Sequence, residues 1–397
     1  PIYSGGHLRH RLFAVESIIK TEKRPYANLN AIPPHSKINK RFPRCQAGSF
    51  RRTGGINGCV EIVAPGKDNM AASGYISLPK CLELALNDGL NPLTGSQLGP
   101  RTGDPSTFAN FDELMAAYRE QLGHAIELKT TYDHLARQAY AEFCPVPFTS
   151  LLMHDCLEKG RDFHDGGARY NLPMICGVGI GSLADSLAAI RKLVYNEGKI
   201  SMENLVIALQ ADFVGHERIR QMLLNRAPKW GNGDDEVDTI AQELVTIFAD
   251  ELEQHQNQEG TLYAANMIPT TTHIWFGALM GATPDGRLAE KPLSEGVSPV
   301  QGMDKHGPTA VARSMARLDH ARTGGTLLNM KFHPTTLKSQ SDIDKFAQLV
   351  RTYFKLGGHH MQFNVISGET LRVAQQNPAE YQNVIVRVAG YSDYLCA

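Results

Sequence analysis

TLLNMKF at residues 326–332, MQFNVI at 361–366 and VIVRV at 384–388 are short apolar runs, and helical patterns over 342–356 and 370–376 separate them. Apolar runs of this length predict strands. Strands that alternate with helices along a chain are typical of an α/β fold with substantial parallel pairing. VIVRV is almost continuously apolar, as expected of a parallel strand buried on both faces. This part of the chain therefore predicts an α/β architecture.

Helical patterns dominate the chain before these runs. A helix is predicted to begin at Ser77, with Pro79 in its first turn and Gly89 as its stop. Further apolar periodicities of the helical kind cover 112–143, 183–197, 202–211, 216–225 and 236–255.

The charge of the chain is unevenly distributed. The 397 residues carry a formal net charge of −1, yet residues 1–52 contain 11 lysines and arginines against 2 acidic residues. A basic arm of this kind favours either binding to nucleic acid or anionic surfaces, or a segment foreign to the rest of the chain. Because its apolar residues are interleaved and no aromatic-basic repeat is present, we expect a disordered or non-native segment and no nucleic-acid partner.

Composition excludes several classes of protein. No run approaches the roughly 20 apolar residues of a membrane-spanning helix, and the first residues lack the apolar core of a signal peptide. We therefore expect a cytoplasmic protein with no membrane partner. The seven cysteines show no C-x-x-C spacing, which argues against a disulfide framework or a structural zinc site. His359 and His360 form an adjacent pair without a third ligand, so we assign no metal.

The segment GCVE (58–61) contains a thiol and a carboxyl group two residues apart. In an extended chain the side chains of Cys59 and Glu61 point the same way. A neighbouring acid raises the pKa of a thiol and disfavours thiolate chemistry. The pair suits hydrogen-atom abstraction by sulfur, coupled to proton transfer by the carboxyl group. From this segment alone, a buried cysteine beside an exposed glutamate is the more common explanation.

The segment VRVAGYS (386–392) is an apolar strand pattern that runs into a glycine. Glycine at such a place normally marks a turn with positive φ. A glycine α-carbon also forms a planar radical on loss of a hydrogen atom, because the two flanking amide groups stabilise it. Gly390 is therefore a second candidate for chemistry.

Two other glycine-rich segments are predicted to be structural. Residues 165–181 contain DGGARYN (165–171) and GVGIG (177–181), whose spacing matches neither the dinucleotide nor the Walker A pattern. Close backbone packing at a barrel or active-site rim is favoured there. GATPDGR (281–287) is typical of a turn.

Taken together, these segments resemble the glycyl radical enzymes, the superfamily that includes pyruvate formate-lyase and the glycerol and diol dehydratases. GCVE (58–61) is similar to the cysteine loop of that family and RVAGYS (387–392) to its radical loop. The resemblance runs from about Thr53 to Tyr394. It implies an α/β fold, the C-terminal part of a ten-stranded barrel in whose centre the two loops meet.

The resemblance also implies roles for residues. Gly390 would store a radical, Cys59 would become a transient thiyl radical that takes a substrate hydrogen, and Glu61 would be the acid-base partner. A separate activating enzyme, dependent on S-adenosylmethionine and an iron-sulfur cluster, would install the radical, so no bound cofactor is expected. The resemblance to full-length members of the family also implies a homodimer.

Within the family, SGYISLPK (73–80) and TGDP (102–105) look most similar to the dehydratases that act on trans-4-hydroxy-L-proline. This implies a lyase that eliminates water from a hydroxylated small molecule by C–O bond cleavage. Tyr75, Thr270 and Thr271 are the implied substrate contacts, with ordinary packing as the alternative for all three.

Other assignments within the family stay open. Pyruvate formate-lyase has adjacent cysteines in this loop, whereas Gly58 precedes Cys59 here, so a formate acetyltransferase is disfavoured. A diol dehydratase is a further alternative, although residues 70–75 lack the aspartate that the glycerol type places there.

The chain departs from the family at both ends. Only 58 residues precede Cys59 and seven follow Gly390. We therefore expect an incomplete barrel, with a basic segment at 1–52, a partial barrel at 53–379 and a truncated radical loop at 380–397. An inactive remnant is the alternative to an active lyase.

Overall fold

The computed structural model describes residues 55–57, 61–69, 71–382, 384–388 and 392–394. Cys59 and Gly390 lie outside these ranges, as does the predicted basic segment.

Twelve strands are present in the described part of the chain. They are β1 (Gly55–Asn57), β2 (Glu61–Val63), β3 (Ala71–Ser77), β4 (Leu90–Asn91), β5 (Ser96–Gln97), β6 (Pro173–Val178), β7 (Ala264–Met267), β8 (Thr323–Thr326), β9 (Asn329–Phe332), β10 (Gln362–Val365), β11 (Ile385–Arg387) and β12 (Ser392–Tyr394).

Twelve α-helices accompany these strands within the described ranges. They are α1 (Leu78–Ala85), α2 (Phe111–Phe143), α3 (Pro147–Leu152), α4 (Cys156–Lys159), α5 (Ile180–Ile190), α6 (Met202–Gln210), α7 (Glu217–Arg226), α8 (Asp235–Leu252), α9 (Thr272–Ala278), α10 (Pro308–Met315), α11 (Gln340–Lys355) and α12 (Gly368–Gln376). None of these helices is both long and apolar enough to cross a membrane.

The central sheet contains four parallel strands in the order β3-β6-β7-β8. Every residue of β6 and β7 is buried, as expected of parallel strands covered on both faces. Ile175 on β6 and Ala265 on β7 pack into the main core beside Leu183 of α5 and Phe248 of α8. One face of the sheet is therefore covered by helices, which confirms the predicted α/β class.

The longest helix, α2, packs one stripe of side chains into the core. Leu114, Tyr118, Leu122 and Ile126 recur every four residues on that stripe, and all four are fully buried. The side chain of Asn110 accepts a hydrogen bond from the Glu113 N–H and caps the helix start. The sequence prediction of 112–143 agrees with this helix.

Two strand predictions were wrong in detail. The predicted strand 326–332 is divided between β8 and β9, because the N–H of Leu327 donates to Met267 O and its carbonyl accepts from the Val297 N–H. The chain thereby leaves the central sheet, and β9 pairs in parallel with β10.

VIVRV (384–388) is also not a buried parallel strand. Its residues Ile385–Arg387 pair antiparallel with Ser392–Tyr394, and Ile385 is exposed. Only four residues, 388–391, separate the end of β11 from the start of β12, so the two strands form a hairpin, which is an antiparallel arrangement.

Candidate active site

One row of side chains crosses the inner face of the central sheet. Tyr75 on β3 is in register with Cys176 on β6, and Cys176 is in register with Asn266 on β7. Successive residues of a strand face opposite sides, and the neighbours Ile175 and Ala265 face the helices. Cys176 and Asn266 therefore lie on the face of the sheet opposite these helices, and Tyr75 is in register with them on the edge strand.

Glu61 lies beside this row. It is the first residue of β2, a strand that packs against β8, and its side chain is half-buried. Burial raises the pKa of the Cys176 thiol well above its usual range, and the nearby negative charge of Glu61 raises it further. The carboxyl group of Glu61 is thus near enough to Cys176 to act on it electrostatically, and its role as an acid-base residue stays a prediction.

Ile268 connects the row to the end of the chain. Its backbone N–H donates a 3.2 Å hydrogen bond to the sulfur of Cys176. Its side chain is buried with Leu327, and Val388 packs against this pair. Contacts therefore join Cys176, Ile268 and Val388, and Glu61 acts electrostatically on Cys176 at one end of this chain of contacts.

Each predicted radical residue stands, in the sequence, between two strands that pair with each other antiparallel. Asn57 on β1 is paired with Glu61 on β2, and residues 58–60 between them include Cys59. Arg387 on β11 is paired with Ser392 on β12, and residues 388–391 between them include Gly390. Glu61 is two residues after Cys59 in the sequence, and Val388 is two residues before Gly390.

Thr270 and Thr271 follow the carboxyl end of β7. Ile268, which contacts Cys176 and Val388, is followed by Pro269 and then by both threonines. Thr270 has a φ of 52°, a left-handed conformation that is costly for a β-branched residue. Backbone strain of this kind is concentrated at functional sites, which supports a role for Thr270 beyond packing.

Tyr75 lines a mostly apolar cavity of about 490 Å³ beneath α9. Lys80, Tyr132, Phe276 and Met280 also line it, whereas Thr270 and Thr271 do not. The structure therefore gives Tyr75 an accessible cavity, but it does not bring all three predicted substrate contacts to that same cavity.

The two glycine-rich segments are structural, as predicted. A Cβ at Gly167 would lie 2.2 Å from the Arg161 carbonyl oxygen, so the backbone packs closely there. In the second segment, Asp285 Oδ1 accepts from the Thr283 hydroxyl at 2.5 Å and from the Arg287 N–H at 3.1 Å, which closes a turn.

Several polar residues of this region were missed by the sequence analysis. Asn266 is 5% exposed, and its side-chain oxygen has no hydrogen-bond partner among the residues that the structure describes. Asn329 and Gln362 lie in β9 and β10 and contact the carbonyl of Val388. The available signal was an amide side chain inside each apolar run, in AANM (264–267), NMKF (329–332) and QFNV (362–365). Among the described residues, no group of three or more histidine, cysteine and acidic side chains could hold a metal ion.

Comparison with known families gives two matches that together span most of the chain. The pyruvate formate lyase-like profile matches residues 39–277, and the glycine radical profile matches residues 293–396. The first match begins inside the basic segment and includes the 58–61 loop, and the second includes Gly390.

Individual relatives agree with these matches. A trans-4-hydroxy-L-proline dehydratase from Clostridioides difficile is 46% identical over 343 residues, which are 86% of this chain and 44% of the relative. The chain thus spans less than half the length of this curated relative.

Solved structures show the same fold. The crystal structure of hydroxyproline dehydratase from Clostridioides difficile, with trans-4-hydroxy-L-proline bound, matches with a TM-score of 0.85 at 45% identity. It covers 87% of this chain and 44% of that one. The glycerol-bound B12-independent glycerol dehydratase from Clostridium butyricum matches with a TM-score of 0.86 at 39% identity, over 90% of this chain and 46% of that one.

Proposed function

The chain belongs to the pyruvate formate lyase-like family and carries its glycine radical region, and we propose from this that it contributes the radical half of a dehydratase that cleaves a C–O bond. The observation that carries the proposal is the chain of contacts from Cys176 through Ile268 to Val388, together with the electrostatic effect of Glu61 on Cys176. It links the hairpin that contains Cys59 to the hairpin that contains Gly390.

The proposed chemistry starts with hydrogen-atom transfer. The radical at the Gly390 α-carbon takes the hydrogen atom of the Cys59 thiol, which leaves a C–H bond at Gly390 and a thiyl radical at Cys59. The thiyl radical then takes a hydrogen atom from a substrate carbon, so the thiol is restored and the unpaired electron resides on the substrate. Cys176 and Ile268 are buried, and such burial excludes water that would otherwise divert a radical.

Glu61 is the proposed acid-base residue. Loss of a hydroxyl group next to a carbon radical needs a proton on the departing oxygen, and the half-buried carboxyl group of Glu61 is the proposed source of it. The Glu61 carboxylate left by this step takes a proton from the nitrogen or the remaining hydroxyl group of the substrate radical, the product radical recovers the hydrogen atom from Cys59, and the radical returns to Gly390. The sum of the steps is the elimination of one water molecule.

The proposed substrate is a hydroxylated small molecule, and trans-4-hydroxy-L-proline is the first to test. The C. difficile relative is named for this substrate, and its solved structure holds it. Tyr75, Thr270 and Thr271 are the proposed contacts. Support for Tyr75 comes from its place in the inward row, and support for Thr270 comes from its strained backbone.

A partner must generate the radical, because none of the proposed steps creates one. We propose a separate activating enzyme that uses S-adenosylmethionine and an iron-sulfur cluster, in keeping with the glycine radical region.

The test is a product assay under anoxia, with the protein activated and then supplied with trans-4-hydroxy-L-proline. We expect one pyrroline carboxylate for each substrate consumed, and no product from Cys59→Ala. Cys144→Ala is the matched control, because Cys144 is exposed at the end of α2 and should leave the yield unchanged. Product from Cys59→Ala at the wild-type rate would refute the proposal. Consumption of glycerol instead of hydroxyproline would refute the substrate assignment alone.

A further inference from the structure

The carbonyl oxygen of Val388 accepts two side-chain hydrogen bonds. Asn329 Nδ2 lies 3.3 Å from it and Gln362 Nε2 lies 3.1 Å from it. A carbonyl oxygen has two lone pairs, so both of its acceptor positions are used. Val388 is two residues before Gly390, and its carbonyl is the last backbone acceptor that the structure describes before that glycine.

The two donors are held together by the sheet. β9 and β10 are parallel, and Asn329 is in register with Gln362, so both side chains stand on the same face. The Gln362 N–H also donates to Leu328 O at 2.9 Å, and Gln362 is only 4% exposed. The pair is therefore a rigid platform rather than two independent surface amides.

The orientation of the Asn329 amide is determined by its neighbours. Its Nδ2 also donates to the carboxylate oxygens of Glu295, at 3.1 and 3.2 Å. Its Oδ1 accepts from Asn364 Nδ2 at 3.3 Å. A carboxylate only accepts hydrogen bonds, so the NH₂ group of Asn329 must face Glu295, and the same group then reaches Val388.

Val388 is also held from its other side, because its side chain packs against Ile268 and Leu327. Ile268 in turn donates its N–H to Cys176, in the row beside Glu61. The Val388 backbone is thus fixed between the amide platform and the residues that lead to the cysteine hairpin.

We propose that Asn329 and Gln362 are positioning residues that hold the Val388 carbonyl and thereby set the place of Gly390 relative to Cys59. The inference rests on the proposed function, since the place of Gly390 matters to turnover only if its radical is passed to Cys59. Hydrogen-atom transfer needs close approach, and a displacement of about 1 Å can cost on the order of a hundredfold in rate.

The test compares donor-deleting variants with a buried amide elsewhere. Asn329→Ala and Gln362→Ala each remove one bond to Val388, and Gln362→Glu removes the donor while retaining the shape of the side chain. Asn257→Ala is the control, because Asn257 is 4% exposed and donates to Asn171 O at 2.8 Å in the loop before β7. Each protein is activated, its radical is counted by electron paramagnetic resonance, and turnover of trans-4-hydroxy-L-proline is expressed per radical.

We expect turnover per radical to fall by about tenfold or more in all three platform variants and to stay at the wild-type value in Asn257→Ala. If Asn329 and Gln362 had a purely structural role, every variant would lose thermal stability, and turnover per radical would not differ between the platform variants and Asn257→Ala. Unchanged turnover per radical in Asn329→Ala and Gln362→Ala, or an equal fall in Asn257→Ala, would overturn the proposal.

A second readout does not depend on the radical. Amide hydrogen exchange of the peptide over 384–394 is measured in the unactivated protein, and we expect it to be faster in the platform variants than in wild type and Asn257→Ala. Exchange equal to wild type would overturn the proposal. If the wild type forms no radical, the proposed function fails, and the exchange result still decides whether the platform holds Val388.

Discussion

The backbone N–H of Ile268 donates a hydrogen bond to the sulfur of Cys176. This one contact joins the end of β7 to the middle of β6 on the inward face of the sheet. Because Val388 packs against Ile268, and Glu61 acts electrostatically on Cys176, the contact also connects the two hairpins that contain the proposed radical residues. The arrangement makes Cys176 a structural acceptor rather than a reactive thiol.

Thiol reactivity provides the first prediction. Burial raises the pKa of Cys81 to about 12 and raises that of Cys176 further, whereas Cys144 is exposed. Because the thiolate is the reactive form, iodoacetamide is expected to alkylate Cys144 in the native protein and to leave Cys81 and Cys176 unmodified until the chain unfolds. Peptide mass mapping measures this. Alkylation of Cys176 as fast as Cys144 would show that the inner face is open.

Substitution of the proposed acid-base residue, Glu61, provides the second prediction. Glu61→Gln retains the shape of the side chain but cannot transfer a proton, so turnover per radical should fall by about 10²- to 10⁴-fold. The amount of radical should not change, because Glu61 has no part in its formation. Glu203→Gln, on the exposed side of α6, is the control and should behave as wild type. A Glu61→Gln enzyme with full turnover would remove Glu61 from the mechanism.

The strained threonine provides the third. Thr270→Gly should raise the free energy of unfolding by about 1 kcal/mol, since glycine adopts a positive φ without the steric cost. The same change should raise the KM for substrate if the hydroxyl is a contact. Thr271 has a φ of −108°, so Thr271→Gly should instead lower stability by about 0.5–1 kcal/mol. Chemical denaturation of both variants measures their free energies of unfolding. Equal losses of stability at positions 270 and 271 would contradict backbone strain at Thr270.

A buried carboxyl group provides the fourth. Asp185 on α5 is fully buried and accepts a 2.6 Å hydrogen bond from the Trp230 N–H. Burial above all raises its pKa to about 7. The native state therefore keeps a proton that the unfolded chain loses, and the stability contributed by this group decreases as pH rises from about 4 to about 7.

Asp185→Asn does not bind this proton, so its free energy of unfolding should not decrease in this way. As pH rises from about 4 to about 7, the free energy of unfolding of the variant should therefore increase relative to that of the wild type by up to about 4 kcal/mol. Urea denaturation at several pH values measures the difference. Asp304→Asn, at an exposed position, should follow the wild type throughout. A constant gap between Asp185→Asn and wild type would mean that Asp185 is already ionised in the native state.

The sequence predicted helices better than strands, for a physical reason. The helix over 111–143 has a stripe of apolar residues at every fourth position, which is a local signal. β6 (PMICGV) and β7 (AANM) carry proline, glycine and alanine, and they are strands only because their neighbours pair with them. That pairing is not visible in the local pattern.

The site was predicted in part. The motifs directed attention to residues 58–61 and 387–392, because the residues themselves carry the signal, and the roles assigned to Cys59, Glu61 and Gly390 stay predictions. Asn266, Asn329 and Gln362 were missed, since their importance comes from register between strands that are far apart in sequence. The antiparallel pairing of VIVRV was missed as well, because a buried strand and a hairpin strand share the same apolar composition.

The central claim is that Gly390 stores a radical, and electron paramagnetic resonance after anoxic activation tests it most directly. One hydrogen atom remains on the α-carbon of a glycyl radical, so its signal is a doublet. We predict this doublet in the wild type and in Gly368→Ala, a control at a helix start with space for a methyl group, and its loss in Gly390→Ala. A wild type without the doublet, beside a full-length relative that forms it with the same activating enzyme, would contradict the account.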